Sequence, residues 1–163
     1  QEFEPATGDW PELLRRVDAV PPSLAIAQAA LESGWGTSRF AKQGNAVFGQ
    51  WSWKPRSGLV PARRSQDEEH VVRRFSQLSE SVGAYLVNLN SHKYYTKFRD
   101  RRADARAQGK IASGMELVKY LERYSREGRK YIDEVRGIIE TNLLQEMDAA
   151  RLRPANRAWL ASS

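Results

Sequence analysis

The run Pro22-Ser23-Leu24-Ala25-Ile26-Ala27-Gln28-Ala29-Ala30-Leu31-Glu32-Ser33 leaves this chain few ways to fold. Leu24, Ala27 and Leu31 recur at helical spacing, and Ile26 with Ala30 widen the face until nearly every side is apolar. A helix of that kind belongs inside a core, with the other elements packed round it. Pro22 and Ser23 suit its first turn and Gly34 suits its stop. Its last turn carries one acid, Glu32, followed by a Gly34-Trp35-Gly36 bend.

Glu32 is awkwardly placed for an anion. The C-terminal end of a helix is the negative end of its dipole, and Leu31 and Trp35 add apolar surroundings. Both effects favour the neutral carboxyl, the form a general acid needs. The competing reading is a carboxylate that faces water at a helix end.

The remaining elements follow from periodicity. Asp9 caps a helix with Pro11 in its first turn, and Trp10, Leu13, Leu14 and Val17 make a core-facing stripe. Residues 37–43 predict a short helix anchored by Phe40 and stopped by Gly44. Between Asn45 and Phe75, Gly49, Pro55, Gly58 and Pro61 break helices, while Val47-Phe48, Leu59-Val60 and Val71-Val72 favour extended chain. This predicts an irregular loop and a small β-hairpin with residues 64–70 near its tip, forming one wall of a cleft. Val82, Tyr85, Leu86 and Leu89 mark the next helix. Residues 95–108 predict a helix with Phe98 inward and arginines outward. Ser113-Gly114-Met115-Glu116 is a capping box opening a stripe of Leu117, Tyr120, Leu121 and Tyr124. A final helix over 130–152 would carry Ile132, Val135, Ile139, Leu143 and Met147 on one side.

The expected organisation is a leader over 1–8, one domain over 9–153 and a tail over 154–163. The fold class is mainly α, a lysozyme-like α+β domain with a small β-hairpin inserted after the Glu32 helix, an assignment by fold analogy. A chain of 163 residues suffices for one core. Without cysteine, disulfides, thiolate chemistry and Cys-ligated metals are excluded. His70 and His92 lack metal-ligand spacing, and phosphate loops and a Gly-x-Ser-x-Gly elbow are absent, so no metal and no cofactor are expected. No stretch approaches the roughly 20 apolar residues of a membrane span. The net charge of +6 and pI near 9.8 suit an anionic polymer as partner.

Two segments are familiar. Ala27-Gln28-Ala29-Ala30-Leu31-Glu32-Ser33-Gly34-Trp35-Gly36-Thr37-Ser38 resembles the catalytic segment of the bacterial glucosaminidases of glycoside hydrolase family 73, which include the flagellar rod hydrolase domain. Asn45-Ala46-Val47-Phe48-Gly49-Gln50-Trp51 resembles the Asn-x-Phe-Gly segment of that family, and Trp51 with Trp53 look closest to its Bax-like branch. The resemblance implies a peptidoglycan hydrolase, an endo-β-N-acetylglucosaminidase with Glu32 as general acid. It would act in the periplasm or outside the cell, as a monomer on glycan strands and not on nucleic acid. The alternatives are a muramidase or lytic transglycosylase, and a wall-binding module with weak or lost hydrolysis.

The resemblance also implies a second carboxylate, on the first strand of the hairpin. The matching stretch here is Val60-Pro61-Ala62-Arg63, which has no acid. Asp67, Glu68 and Glu69 lie further along, and Glu69 is preferred because strand alternation gives it the face of Val71, Arg73 and Phe75. An N-acetyl sugar can instead supply its own carbonyl. Tyr95 resembles the Tyr of the family's Asn-Pro-Arg-Tyr segment, here His92-Lys93-Tyr94-Tyr95, with Tyr94 the second choice. Trp35, Asn45, Phe48, Trp51 and Trp53 are the other candidate sugar contacts, with the core the favoured place for Phe48.

Overall fold

The computed structural model describes residues 9–52, 58–60 and 71–150. The expected leader and tail, Trp53, and the acids Asp67, Glu68 and Glu69 lie outside the described residues.

The apolar run forms α2 (Pro22–Ser33), and Gly34 closes it in the left-handed conformation at φ 56°. Leu24 and Ala27 are fully buried, and the small alanines let other elements approach closely. Two helices pack on it, α6 (Gly114–Leu117) and α7 (Arg129–Thr141), together with a 3-10 turn, Leu144–Ala149. The core continues through α4 (Leu78–Ser91) and α5 (Thr96–Ala107), which contribute Tyr85, Leu89 and Phe98. The capping box at Ser113 and Glu116 forms as its sequence predicts.

Beside the helices stands a three-stranded antiparallel sheet of β1 (Trp51–Ser52), β2 (Gly58–Leu59) and β3 (Val71–Arg73), in the order β1-β3-β2. Val72 on the central strand pairs with Trp51 on one side and Leu59 on the other. Val72, Phe75 and Ala46 form a second small core, with Phe40 of α3 (Arg39–Gly44) packed against it. The molecule is thus a mainly helical, lysozyme-like α+β domain. Its β element has a third strand where the sequence predicts a hairpin.

Three expectations are corrected. The first concerns α1 (Trp10–Arg16), whose stripe does not enter the core: Trp10, Leu14 and Val17 are all more than half exposed. Polar contacts dock this helix instead. Arg102 donates to the Arg15 carbonyl, Arg106 to the Leu14 carbonyl, and Arg16 to the Ser91 carbonyl.

The second concerns α5, where Arg99 and Arg102 are buried rather than outward. Arg99 donates to the carbonyls of Leu89 and His92, and Arg102 to those of Asp18 and Ala19. Their guanidinium groups serve carbonyls at the C-terminal end of α4 and in the link between α1 and α2, and the His92 and Asp18 carbonyls also accept from Tyr95 N and Asn90 Nδ2. Burial depresses the Arg102 pKa to about 10, with Asp18 opposing the shift.

The third concerns the final helix, which stops at Thr141. Leu143 turns left-handed at φ 53°, and Leu143 and Met147 are exposed. The turn brings Asp148 to the start of α2. Its carboxylate accepts from Ser23 N at 2.9 Å, Ser23 Oγ at 2.8 Å and Gly114 N at 2.9 Å. A negative group at that helix start also suits the dipole. Asp148→Ala strands two backbone donors, so urea unfolding should show a loss of about 2 kcal/mol.

Candidate active site

The end of α2 points Glu32 into an open cleft of about 980 Å³. Gly34, Trp35 and Gly36 are left-handed in succession, which turns the chain away directly after the acid. Ser33 Oγ holds this bend, donating to the Ala29 carbonyl at 2.5 Å and accepting from Gly36 N at 2.8 Å.

The carboxyl group rests against Gly49. A Cβ at that position would lie 2.8 Å from Glu32 Oε2, and Gly49 itself has φ 60°. The glycine therefore meets two demands, a left-handed backbone and room for the acid. Phe48 beside it is buried and stacks on Tyr85 with ring centroids 4.0 Å apart, so it is a core residue that also lines the cleft.

A buried polar chain runs to Glu32 from below. Tyr85 Oη donates to Gln28 Oε1 at 2.8 Å, and Gln28 Nε2 donates to Tyr131 Oη at 2.7 Å. The Tyr131 phenol in turn donates to the Glu32 carboxyl group. Gln28 lies one helical turn before Glu32 on α2, and it is fully buried with both amide ends satisfied. Tyr124 stacks on Tyr131 at 5.5 Å and donates to the Phe48 carbonyl at 3.3 Å.

Burial is the main influence on Glu32 and raises its pKa. The Tyr131 hydrogen bond opposes that rise, and the nearby Glu127 charge adds to it. Burial also raises the pKa values of Tyr131, Tyr124 and Tyr95, so these phenols stay protonated as donors. In Tyr131→Phe, Gln28 Nε2 loses its acceptor and Glu32 loses a donor. Stability should fall by about 1–3 kcal/mol, and the alkaline limb of any Glu32-dependent activity should move upward, read by urea unfolding and a pH–rate profile.

Of the residues singled out in the sequence, Glu32, Phe48, Trp51, Tyr94 and Tyr95 line one cleft. Tyr95 is buried and hydrogen-bonded to Asn88, while Trp51 and Tyr94 are about half exposed. Trp35 and Asn45 are not brought into that lining. Trp35 is 62% exposed on the bend. Asn45 caps α3 and spends its amide on the carbonyls of Phe75 and Ser76, at 3.1 and 3.2 Å. Sequence reasoning missed Gln28, Gly49, Asn88, Tyr124 and Tyr131. Gln28 carried a usable signal, as a lone amide one turn before the acid in an otherwise apolar helix.

A lysozyme-like domain with a half-buried acid lining an open cleft is the architecture of a glycosidase. The chain belongs to the glucosaminidase family, glycoside hydrolase family 73: the family model described as mannosyl-glycoprotein endo-beta-N-acetylglucosaminidase matches residues 10–144. Over 143 residues it is 35% identical to Protein bax of Escherichia coli (strain K12), covering 88% of this chain and 50% of that protein. The chain thus spans about half the length of that curated relative. No solved structure matches it. No described helix is long and apolar enough to cross a membrane.

Proposed function

We propose that this domain is an endo-β-N-acetylglucosaminidase that cleaves peptidoglycan glycan strands in the periplasm or outside the cell, with Glu32 as general acid. The observation that carries the reading is Glu32 itself, half-buried in the cleft lining with a pKa raised by desolvation. The neutral carboxyl gives its proton to the glycosidic oxygen as the bond to the anomeric carbon breaks. The bonding electron pair leaves with that oxygen, and positive charge grows on the sugar ring. Water then adds at the anomeric carbon and releases a proton, leaving a new reducing end.

The growing charge needs a stabilising partner. Glu69 is the proposed carboxylate, and the substrate's own N-acetyl carbonyl is the alternative. Tyr95, held by Asn88, is proposed to orient the acetamido group or the water. Trp51 and Tyr94 offer aromatic faces to sugar rings along the cleft. Trp53 is proposed as a further sugar contact, and Trp35 and Asn45 as contacts beyond the cleft lining.

The test is digestion of purified peptidoglycan followed by borohydride reduction and mass spectrometry. Fragments reduced at N-acetylglucosamine support the proposal. Reduction at N-acetylmuramic acid would make the enzyme a muramidase, and anhydro-muramic ends a lytic transglycosylase. Retained binding with no fragments would leave a wall-binding module.

A further inference from the structure

One wall of the cleft carries charge that acid catalysis does not use. Arg123, Arg126 and Arg129 all line it, on the turn before α7 and the first residue of that helix, and all three are exposed. Arg126 lies over the Trp51 ring at 5.6 Å from its centroid, and Arg123 over Tyr94 at 5.7 Å. None of the three forms an ion pair among the described residues, and the neighbouring Glu127 and Glu134 pair with Lys130 at 3.0 and 3.4 Å. Glu32 and Glu122 are the only acids in the described lining, and Glu32 has a raised pKa.

Three guanidinium groups without an ion-pair partner among the described residues repel one another, and a bound anion would relieve that repulsion. A guanidinium resting over an aromatic ring is held in place while its N–H edge stays open, and that edge fits a carboxylate with two parallel hydrogen bonds. Trp51 and Tyr94 are themselves cleft-lining rings, so the charges sit where a bound strand would pass.

We propose that Arg123, Arg126 and Arg129 form a carboxylate-reading edge of the cleft, which selects glycan strands bearing acidic substituents over neutral N-acetylglucosamine polymers. This rests on the glycan-cleaving reading above. Two sources can supply the carboxylate. When peptides are attached, it comes from their acidic residues. When they have been removed, it comes from the freed lactyl group of muramic acid.

The test measures binding in the full chain carrying Glu32→Gln, with and without the triple change Arg123→Gln, Arg126→Gln and Arg129→Gln. Three probes are compared at low and moderate salt: peptide-bearing glycan fragments, the same fragments stripped by an amidase, and chitotetraose. The parent should bind an acidic probe more tightly than chitotetraose, and the triple variant should lose about tenfold on it at low salt. Salt should erode the parent's preference and leave little to erode in the variant. A loss confined to peptide-bearing fragments identifies peptide carboxylates, and one confined to stripped fragments identifies the lactyl group. Arg126→Lys, which keeps the charge without the planar fork, should fall between parent and Arg126→Gln. Equal losses on acidic and neutral probes, or no preference in the parent, would overturn the proposal. Cleavage is read separately with Glu32 intact, so a chain that binds acidic glycan selectively but cuts nothing defeats only the hydrolase reading.

Discussion

Glu32→Gln is expected to leave the fold intact and to lower kcat on glycan strands by at least roughly a hundredfold. Glutamine keeps the shape of the side chain and can still accept from Tyr131, but it has no proton to give. The same change should raise stability near neutral pH. Burial raises the folded-state pKa of Glu32 above its unfolded value. Its contribution to stability is therefore fully present below the unfolded value of about 4.3 and is lost as pH rises through the folded value. Glutamine never ionises, so the variant should melt above the wild type at about pH 7.5, and the gap should close near about pH 4. An active site that is inactivated and stabilised by one isosteric change holds its acid at a cost to the fold. An equal melting point at both pH values would mean that Glu32 is not held neutral by burial.

Gly49→Ala is expected to be nearly as damaging to catalysis, although Gly49 has no chemistry of its own. The new Cβ would meet Glu32 Oε2 at 2.8 Å and the carboxyl carbon at 3.7 Å. Backbone fixes one side of this contact, so the acid must move. A displacement of about 1 Å is worth roughly a hundredfold in rate where a proton must be delivered in line. The left-handed φ adds a stability cost of about 1 kcal/mol. Gly109→Ala separates the two effects, because Gly109 has φ 68° with no atom within 4 Å of the added Cβ. It should lose similar stability and keep its activity. If Gly49→Ala loses no more activity than Gly109→Ala, the close approach to Glu32 has no catalytic weight.

The elements with a strong local signal were legible from sequence. The α2 helix, its Gly34 stop and the Ser113–Glu116 capping box all form as their residues predict. Periodicity failed where a tertiary polar contact overrode it. The α1 stripe reads as core, but Arg16, Arg102 and Arg106 dock that helix through backbone carbonyls and leave its apolar side exposed. Arginines on α5 read as solvated, yet carbonyls at the end of α4 and in the α1–α2 link, which converge only in the fold, draw Arg99 and Arg102 inward. The final helix reads as continuous through Met147, but Asp148 is pulled aside to hold Ser23 and Gly114.

The site divides in the same way. The raised pKa of Glu32 could be read from one helix, because its apolar surroundings at the helix end are local in sequence. The groups that hold it could not, since Tyr85 and Tyr131 reach Gln28 across sequence separations of 57 and 103 residues. Motif membership also does not separate sugar contact from structural support. Phe48 belongs to the core as well as the cleft, and the Asn45 side chain ties α3 to the link between β3 and α4.

The most direct measurement is a 13C NMR titration of the Glu32 carboxyl carbon, assigned by the resonance that disappears in Glu32→Gln. A midpoint above the ordinary glutamate value of about 4.3 is the predicted result, rising further in Tyr131→Phe as the opposing hydrogen bond is lost. A midpoint at or below that value would contradict the central claim, because Glu32 would then be ionised at the cleft floor and have no proton to deliver.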